Sequence, residues 1–119
     1  MLNMLFGNLF APQPQNVRMV SPAEIKQWHK AGEAVLIDVR EAGEFAAERI
    51  PGAINLPLST FDPAKVPVVP EGKKLVIHCR SGARCGMAAA RLAASGFSGD
   101  IHRMEGGIMG WRFVGGPTA

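Results

Sequence analysis

The sequence predicts an α/β domain with a five-stranded, mostly parallel sheet and helices on both faces. Short apolar runs of strand length alternate along the chain with segments that carry helix-start signals, which is the order that builds parallel sheets. Two of these runs, Ala34 to Val39 and Lys74 to Cys79, are apolar through their centres, as in strands that are covered on both faces. With 119 residues and no internal repeat, the chain fits a single domain.

The first half of the domain is expected to hold three strands and two helices. A short strand, Val17 to Val20, leads into the Ser-Pro-Ala-Glu sequence of Ser21 to Glu24. This sequence supplies a capping serine, a proline in the first turn and a glutamate three residues after the cap. The helix should run to about Lys30 and stop at Gly32. After the strand Ala34 to Val39 we expect a short helix from about Glu41 to Glu48, a turn at Pro51 and Gly52, and a brief strand through Ile54.

The second half begins with a proline-rich surface connection, residues 63–72, and continues with the buried strand that ends at Cys79. An alanine-rich helix is then expected from about Ala83 to Ser95. The remaining elements are a fifth short strand within Gly99 to Met104, a last helical turn at Gly106 to Trp111, and a free tail at Gly115 to Ala119.

Residues 1–16 are predicted to form an N-terminal amphipathic segment ahead of the domain at residues 17–117. Five apolar residues repeat there at the spacing of one helical face: Leu2, Leu5, Phe6, Leu9 and Phe10. We expect this face to pack on its own domain, and a homodimer contact or a membrane-surface contact are the alternatives. The segment has no lysine or arginine, which argues against membrane-surface binding and against a signal peptide. Because the segment lacks the features of a signal peptide, we expect a cytoplasmic protein. No stretch approaches the ~20 apolar residues of a membrane span.

Composition excludes several classes of function. The formal charge of +3 comes from scattered basic residues, without the Lys/Arg runs or interleaved aromatics that nucleic-acid binding favours. Two cysteines are too few for a secreted disulfide scaffold. A zinc site would need further ligands from only three widely spaced histidines. The sequence therefore predicts no nucleic-acid partner, no metal and no cofactor, in a reducing compartment.

The strongest functional signal is the cysteine that ends the second buried strand. In parallel sheets, ligands bind at the carboxyl ends of strands, which is where Cys79 lies. A thiol with an ordinary pKa of about 8.5 reacts as its thiolate. The following loop offers a helix N-terminus, close backbone amides at Gly82 and Ala83, and the permanent cations Arg80 and Arg84. Such a loop would stabilise the thiolate and hold an anionic substrate beside it.

Two neighbours of the loop allow alternative interpretations. His78 suggests a Cys-His pair, but successive strand residues point to opposite faces, so its side chain is expected to face away from the thiol. Cys85 is expected to be a small residue at the start of the helix. Its alternative role is a resolving thiol that attacks an oxidised or sulfur-loaded Cys79.

The chain resembles the single-domain rhodanese-like sulfurtransferases over roughly Val17 to Pro117. Four blocks carry the resemblance, in the same order along the chain: LIDVREAGEF (Leu36 to Phe45), IPGAINLPL (Ile50 to Leu58), CRSGAR (Cys79 to Arg84) and EGGIMGW (Glu105 to Trp111). The resemblance implies that the thiolate attacks the outer sulfur of thiosulfate, that sulfite leaves, and that the cysteine persulfide passes its sulfur to cyanide or a thiol. Thioredoxin and glutathione are candidate acceptors.

The resemblance also implies a set of site residues. Cys79 is the nucleophile, and two cationic loop positions suit dianionic thiosulfate better than mercaptopyruvate. Asp38 and Arg40 match the family's D-x-R and are expected to orient or neutralise loop groups, while Glu44 and Trp111 are expected to serve packing. The substrate-binding residues are Arg80, Ser81, Gly82, Ala83, Arg84 and Cys85.

Two other functions fit parts of the same pattern. Cdc25-type phosphatases and arsenate reductases share the fold, but their arginine follows the cysteine after five residues, whereas Arg84 follows Cys79 after four. A non-catalytic rhodanese module that binds partners is the second alternative. Retention of Cys79 and both loop arginines favours catalysis.

Overall fold

The five predicted strands form one fully parallel sheet in a computed structural model that describes residues 16–119. The sheet order is β1-β5-β4-β2-β3. The buried runs identified in the sequence, β2 and β4, pair with each other near its centre. This confirms the predicted fold class. The strands are β1 Val17–Val20, β2 Ala34–Asp38, β3 Ile54–Asn55, β4 Lys74–His78 and β5 Ile101–Met104.

Helices cover both faces of the sheet, as predicted. They are α1 Pro22–Lys30, α2 Ala42–Ala47, α3 Ala83–Ala94 and α4 Gly107–Phe113. Side chains of α3 pack with Ile37 and Ile77 on one face. Residues of α1 and α4 pack with Leu36 and Val76 on the other. Neighbouring residues of one strand thus enter opposite cores, because side chains alternate across a sheet.

The start of α1 follows the predicted capping pattern. The Ser21 hydroxyl accepts a hydrogen bond from the Glu24 amide at 3.2 Å, and Pro22 occupies the first helical turn. The helix ends at Lys30, the predicted boundary. Two elements are more regular than expected. The last helical turn extends to Phe113, and the connection before β4 contains the 3₁₀ turns Leu58–Thr60 and Pro63–Lys65.

The C-terminal residues are not a free tail, and that expectation is wrong. Arg49 and Ala119 exchange two backbone hydrogen bonds, at 2.8 and 3.2 Å. The indole Nε1 of Trp111 donates to the Pro117 carbonyl at 2.8 Å. Gly116 lies so close to the Trp111 ring that a Cβ there would overlap it. The tail therefore covers one side of a fully buried tryptophan and belongs to the folded domain.

The predicted amphipathic segment lies outside the described residues, except for Asn16. The Asn16 side chain donates to the carbonyls of Phe97 and Gly99 at 3.2 and 3.0 Å. These bonds fix the entry of the chain into β1 beside β5. Among residues 16–119, no helix has the length and apolar character needed to cross a membrane.

Candidate active site

Cys79 lies in the loop between the central strand β4 and helix α3, at the carboxyl edge of the sheet. Its side chain belongs to the core beneath α3 and is 1% exposed. The loop then turns sharply at Gly82, where φ is 121°, a value that side-chain-bearing residues rarely adopt. The helix starts at Ala83. The strand and the helix together fix the position of the thiol, as the sequence predicts.

Hydrogen-bond donors surround the Cys79 sulfur. The Gly82 amide donates to Sγ at 3.1 Å. The thiol of Cys85 and the backbone amides of Cys85 and Ser81 also stabilise the negative charge on this sulfur. These donors, the Cys85 thiol foremost, lower the pKa of Cys79 to about 5 even though burial opposes ionisation. Cys79 is therefore a thiolate at neutral pH.

Cys85 is the protonated partner of this thiolate. Its Sγ donates to the Gly82 carbonyl at 3.0 Å and is fully buried. The adjacent negative sulfur of Cys79 and burial raise the pKa of Cys85 above its usual value. The Arg103 guanidinium opposes this shift, since it interacts with Cys85 and donates from Nη2 to the Gly82 carbonyl at 3.0 Å.

The Cys85 donor gives a testable pH dependence. Alkylation of wild-type Cys79 by iodoacetamide is expected to rise with pH and reach half its plateau near pH 5, because the thiolate is the reactive form. In Cys85→Ala, loss of the thiol donor should move the midpoint to higher pH. Stopped-flow alkylation measures both curves, and Cys79→Ser gives the background rate. An unchanged midpoint in Cys85→Ala would mean that the amides alone set the pKa.

The two loop arginines have different environments. The Arg84 guanidinium forms a bidentate ion pair with Glu44 of α2, at 2.5 and 3.0 Å. This pair lowers the pKa of Glu44 to about 2. Arg80 is exposed at the rim. Glu44, which was predicted to serve packing, thus holds a loop arginine in place and offsets its charge.

Asp38 and Arg40 form a buried ion pair at the carboxyl end of β2, so their charges neutralise each other. Arg40 Nη2 lies 2.7 Å from Asp38 Oδ2, and Arg40 also donates to the carbonyls of Glu48 and Glu44, at 2.6 and 3.4 Å. These bonds tie α2 to the end of β2. Since α2 carries Glu44, the Asp38–Arg40 pair supports the position of Arg84 indirectly. Arg84 ends the sulfur loop, which we define as residues Cys79 to Arg84.

The imidazole of His78 lies away from the thiol, as strand alternation predicts. It is fully buried, with Nε2 4.0 Å from Asp38 Oδ2. Among the described residues, no hydrogen-bond partner is found for either ring nitrogen. Burial is the main reason that the pKa of His78 is lowered to about 4. His78 is therefore neutral at physiological pH and is not the base for Cys79.

Helix α4 and Arg103 also position the loop, and the sequence pattern did not identify their roles. The amides of Ile108 and Met109, at the start of α4, donate to the carbonyls of Cys79 and Arg80 at 2.8 and 3.2 Å. This close approach requires Gly107, because a Cβ there would overlap both carbonyl groups. The two glycines before Ile108 are a sequence feature from which the close approach of α4 to the loop could have been predicted. Arg103, in contrast, had no local motif.

Among residues 16–119, no cluster of three histidine, cysteine, aspartate or glutamate residues could hold a metal ion. A cavity of about 650 Å³ lies at the opposite, amino edge of the strands, between the proline-rich connection and the segment after α3. None of the residues from Cys79 to Arg84 lines this cavity. We place the chemistry at the loop, since the activated thiolate lies there.

Comparison with known proteins identifies relatives of this fold and site. The family model described as "Rhodanese-like domain" matches residues 21–113. The uncharacterised protein slr1261 of Synechocystis is 39% identical over 99 residues, covering 83% of this chain and 54% of that protein. A sulfurtransferase of Allochromatium vinosum is 36% identical over 85 residues, covering 71% of this chain and 78% of that protein. This chain thus spans only about half the length of slr1261.

A solved structure extends the similarity from sequence to architecture. The rhodanese-related protein of Thermoplasma volcanium superimposes with a TM-score of 0.71 at 29% sequence identity. The match covers 86% of this chain and 97% of that chain. The likeness therefore includes most of the domain described above.

Proposed function

Because this chain belongs to the rhodanese-like domain family, we propose that it is a sulfurtransferase that takes a sulfur atom from thiosulfate and carries it on Cys79. The observation that carries the proposal is the buried Cys79 thiolate, with its pKa near 5, inside a ring of amide and thiol donors. The similarity to the Allochromatium vinosum sulfurtransferase supports the reaction class.

The proposed reaction begins with the negative charge on the Cys79 sulfur. The Cys79 thiolate attacks the outer sulfur of thiosulfate, the sulfur–sulfur bond of the donor breaks, and sulfite leaves with the bonding electrons. The product is a cysteine persulfide, whose outer sulfur now carries the negative charge. The amides that held the thiolate can hold this sulfur, since they form a fixed anion-binding loop. Cyanide or a thiol, such as that of thioredoxin or glutathione, then accepts the outer sulfur.

The loop geometry favours sulfur over phosphate transfer. Only four residues separate Cys79 from Arg84, and the Arg84 guanidinium pairs with Glu44 at the side of the loop. A phosphatase loop must enclose a whole tetrahedral oxyanion, which needs several donors around its oxygens, whereas only the outer sulfur of thiosulfate has to reach Cys79. The short loop and the paired arginine suit a single added sulfur atom better, so phosphatase or arsenate reductase activity is not proposed.

Sulfite release provides the direct test of this proposal. The reduced protein is mixed with excess thiosulfate in the absence of any acceptor, and sulfite is quantified colorimetrically. We expect one equivalent of sulfite per protein molecule, because each Cys79 can be loaded once. Protein that is folded by circular dichroism and has titratable thiols, yet releases no sulfite, would contradict thiosulfate as donor.

Arg84 is expected to contribute to thiosulfate binding. In Arg84→Ala the apparent KM for thiosulfate should rise about fivefold to tenfold with a small change in kcat, because a charge-assisted contact is lost but Glu44 already screens it. Arg91→Ala is the matched control, since Arg91 is an exposed arginine farther along α3. Steady-state kinetics with cyanide as acceptor measure both variants. Equal KM values for Arg84→Ala and wild type would place thiosulfate binding elsewhere.

A further inference from the structure

We propose that Cys85 is a resolving thiol, which attacks the persulfide on Cys79, releases the outer sulfur as hydrosulfide and closes a Cys79–Cys85 disulfide. This second activity rests on the proposed function, since the persulfide is its substrate. It would make the protein a donor of sulfide as well as a carrier of sulfane sulfur.

The two thiols are brought together by a single residue of the loop. The Gly82 amide donates to the Cys79 sulfur at 3.1 Å, and the Gly82 carbonyl accepts from the Cys85 thiol at 3.0 Å. The Cys85 thiol also interacts directly with the Cys79 sulfur. A nucleophile already adjacent to its target needs little movement to attack it.

The burial of Cys85 places its thiol in the same core cluster as Cys79. Cys85 is 0% exposed and packs with Ala88 and Ala89 in the core. Arg80 and Ser81 of the same loop are exposed, so we expect the donor to approach from their side and the added sulfur to lie there. Cys85 would then approach Cys79 Sγ from the core side. Thiol–disulfide exchange proceeds by such in-line displacement at sulfur.

Loading of Cys79 changes the charge around Cys85. Before loading, the thiolate of Cys79 keeps Cys85 protonated. After loading, the negative charge moves to the outer sulfur, one bond farther from Cys85. The Arg103 guanidinium, which contacts Gly82 and interacts with Cys85, stays in place and favours the Cys85 thiolate. Loading therefore weakens the main interaction that keeps Cys85 protonated.

The reaction balances without an added oxidant. A bond forms between Cys85 Sγ and Cys79 Sγ, and the bond between Cys79 Sγ and the outer sulfur breaks. The outer sulfur leaves with the electron pair and takes the proton of the Cys85 thiol, which gives hydrosulfide. Two electrons pass from the two cysteines to the sulfane sulfur. An external thiol must then reduce the disulfide before Cys79 can be loaded again.

Single-turnover loading tests this proposal. Reduced wild-type, Cys85→Ser and Cys79→Ser proteins are each treated with thiosulfate, desalted without reductant and analysed by intact mass, while sulfite and hydrosulfide are quantified. We expect the wild type to lose two hydrogens and release one equivalent of hydrosulfide. Cys85→Ser should instead keep one added sulfur atom and release none. Cys79→Ser should show neither change, and peptide mapping should locate the wild-type disulfide.

The outcomes separate this inference from the proposed function. If wild type and Cys85→Ser both release sulfite and both keep the added sulfur, Cys85 is not a resolving thiol, although the protein is still a sulfurtransferase. If neither releases sulfite, the proposed function fails and the inference fails with it. Should Cys85→Ser not fold, Cys85→Ala replaces it, and the wild-type disulfide and hydrosulfide remain decisive alone.

Discussion

Replacement of Cys79 by serine is expected to reduce thiocyanate formation from thiosulfate and cyanide by roughly a thousandfold or more, to the background level. A serine hydroxyl does not ionise near neutral pH, so the donors that stabilise the thiolate would have no anion to hold. The smaller oxygen fits the buried position that the sulfur occupies. The loss should therefore be one of chemistry and not of folding. Steady-state thiocyanate assays, with circular dichroism of the same samples, measure this effect.

Cys85→Ser is the matched control for this result. It changes the same type of atom, in the same buried cluster, and a hydroxyl can still donate to the Cys79 sulfur. We expect this variant to retain most of the cyanide-dependent activity, since cyanide removes the outer sulfur directly. Comparable losses in both variants would mean that Cys79 is not the single sulfur-carrying nucleophile.

Replacement of Gly107 by alanine is expected to lower the free energy of unfolding by about 2–5 kcal/mol, through steric overlap and an unfavourable backbone conformation. The φ angle of Gly107 is 58°. A Cβ at this position would lie 2.6 Å from the Arg80 carbonyl oxygen and would also overlap the Cys79 carbonyl. The clash can be relieved only by moving α4 or the sulfur loop, so activity should fall together with stability. Urea denaturation gives the midpoint, and the sulfite assay gives the activity.

Gly43→Ala serves as the control for Gly107→Ala. Gly43 lies within the short helix α2, and a Cβ there would meet no atom within 4 Å. Alanine should therefore raise stability by about 0.5–1 kcal/mol, because glycine is unfavourable within a helix. If Gly107→Ala proved as stable as Gly43→Ala, the close packing of α4 against the loop would not constrain the site.

The parts of the molecule that were predictable from sequence are those with local signals. The buried runs of β2 and β4 show as apolar stretches, and the start of α1 at Pro22 shows in its capping sequence. The position of Cys79 follows from the end of its strand. These features depend on residues that are close together in the chain, so one sequence is sufficient to identify them.

Contacts between distant segments were not predictable in this way. Glu44 and Arg84 are 40 positions apart, and no local pattern of either residue indicates that they meet. The C-terminal residues have the glycine and proline content of a free tail, yet they cover Trp111. Arg103 lies on a short strand with ordinary composition, and only the packing of β5 beside the loop brings it to Cys85. Contacts of this kind depend on how the fold brings distant segments of the chain together.

The hydrogen bonds behind the sulfur loop determine how it responds to a change in charge. The carbonyls of Cys79 and Arg80 accept from α4, and that of Gly82 accepts from Arg103 and Cys85. The peptide groups are therefore held with their oxygens turned away from the sulfur. In the proposed reaction, negative charge moves from Cys79 to an added sulfur atom, and peptide dipoles that are already oriented would need little rotation to hold it. A loop held in this way could serve the proposed loading of Cys79 with little change in its own conformation.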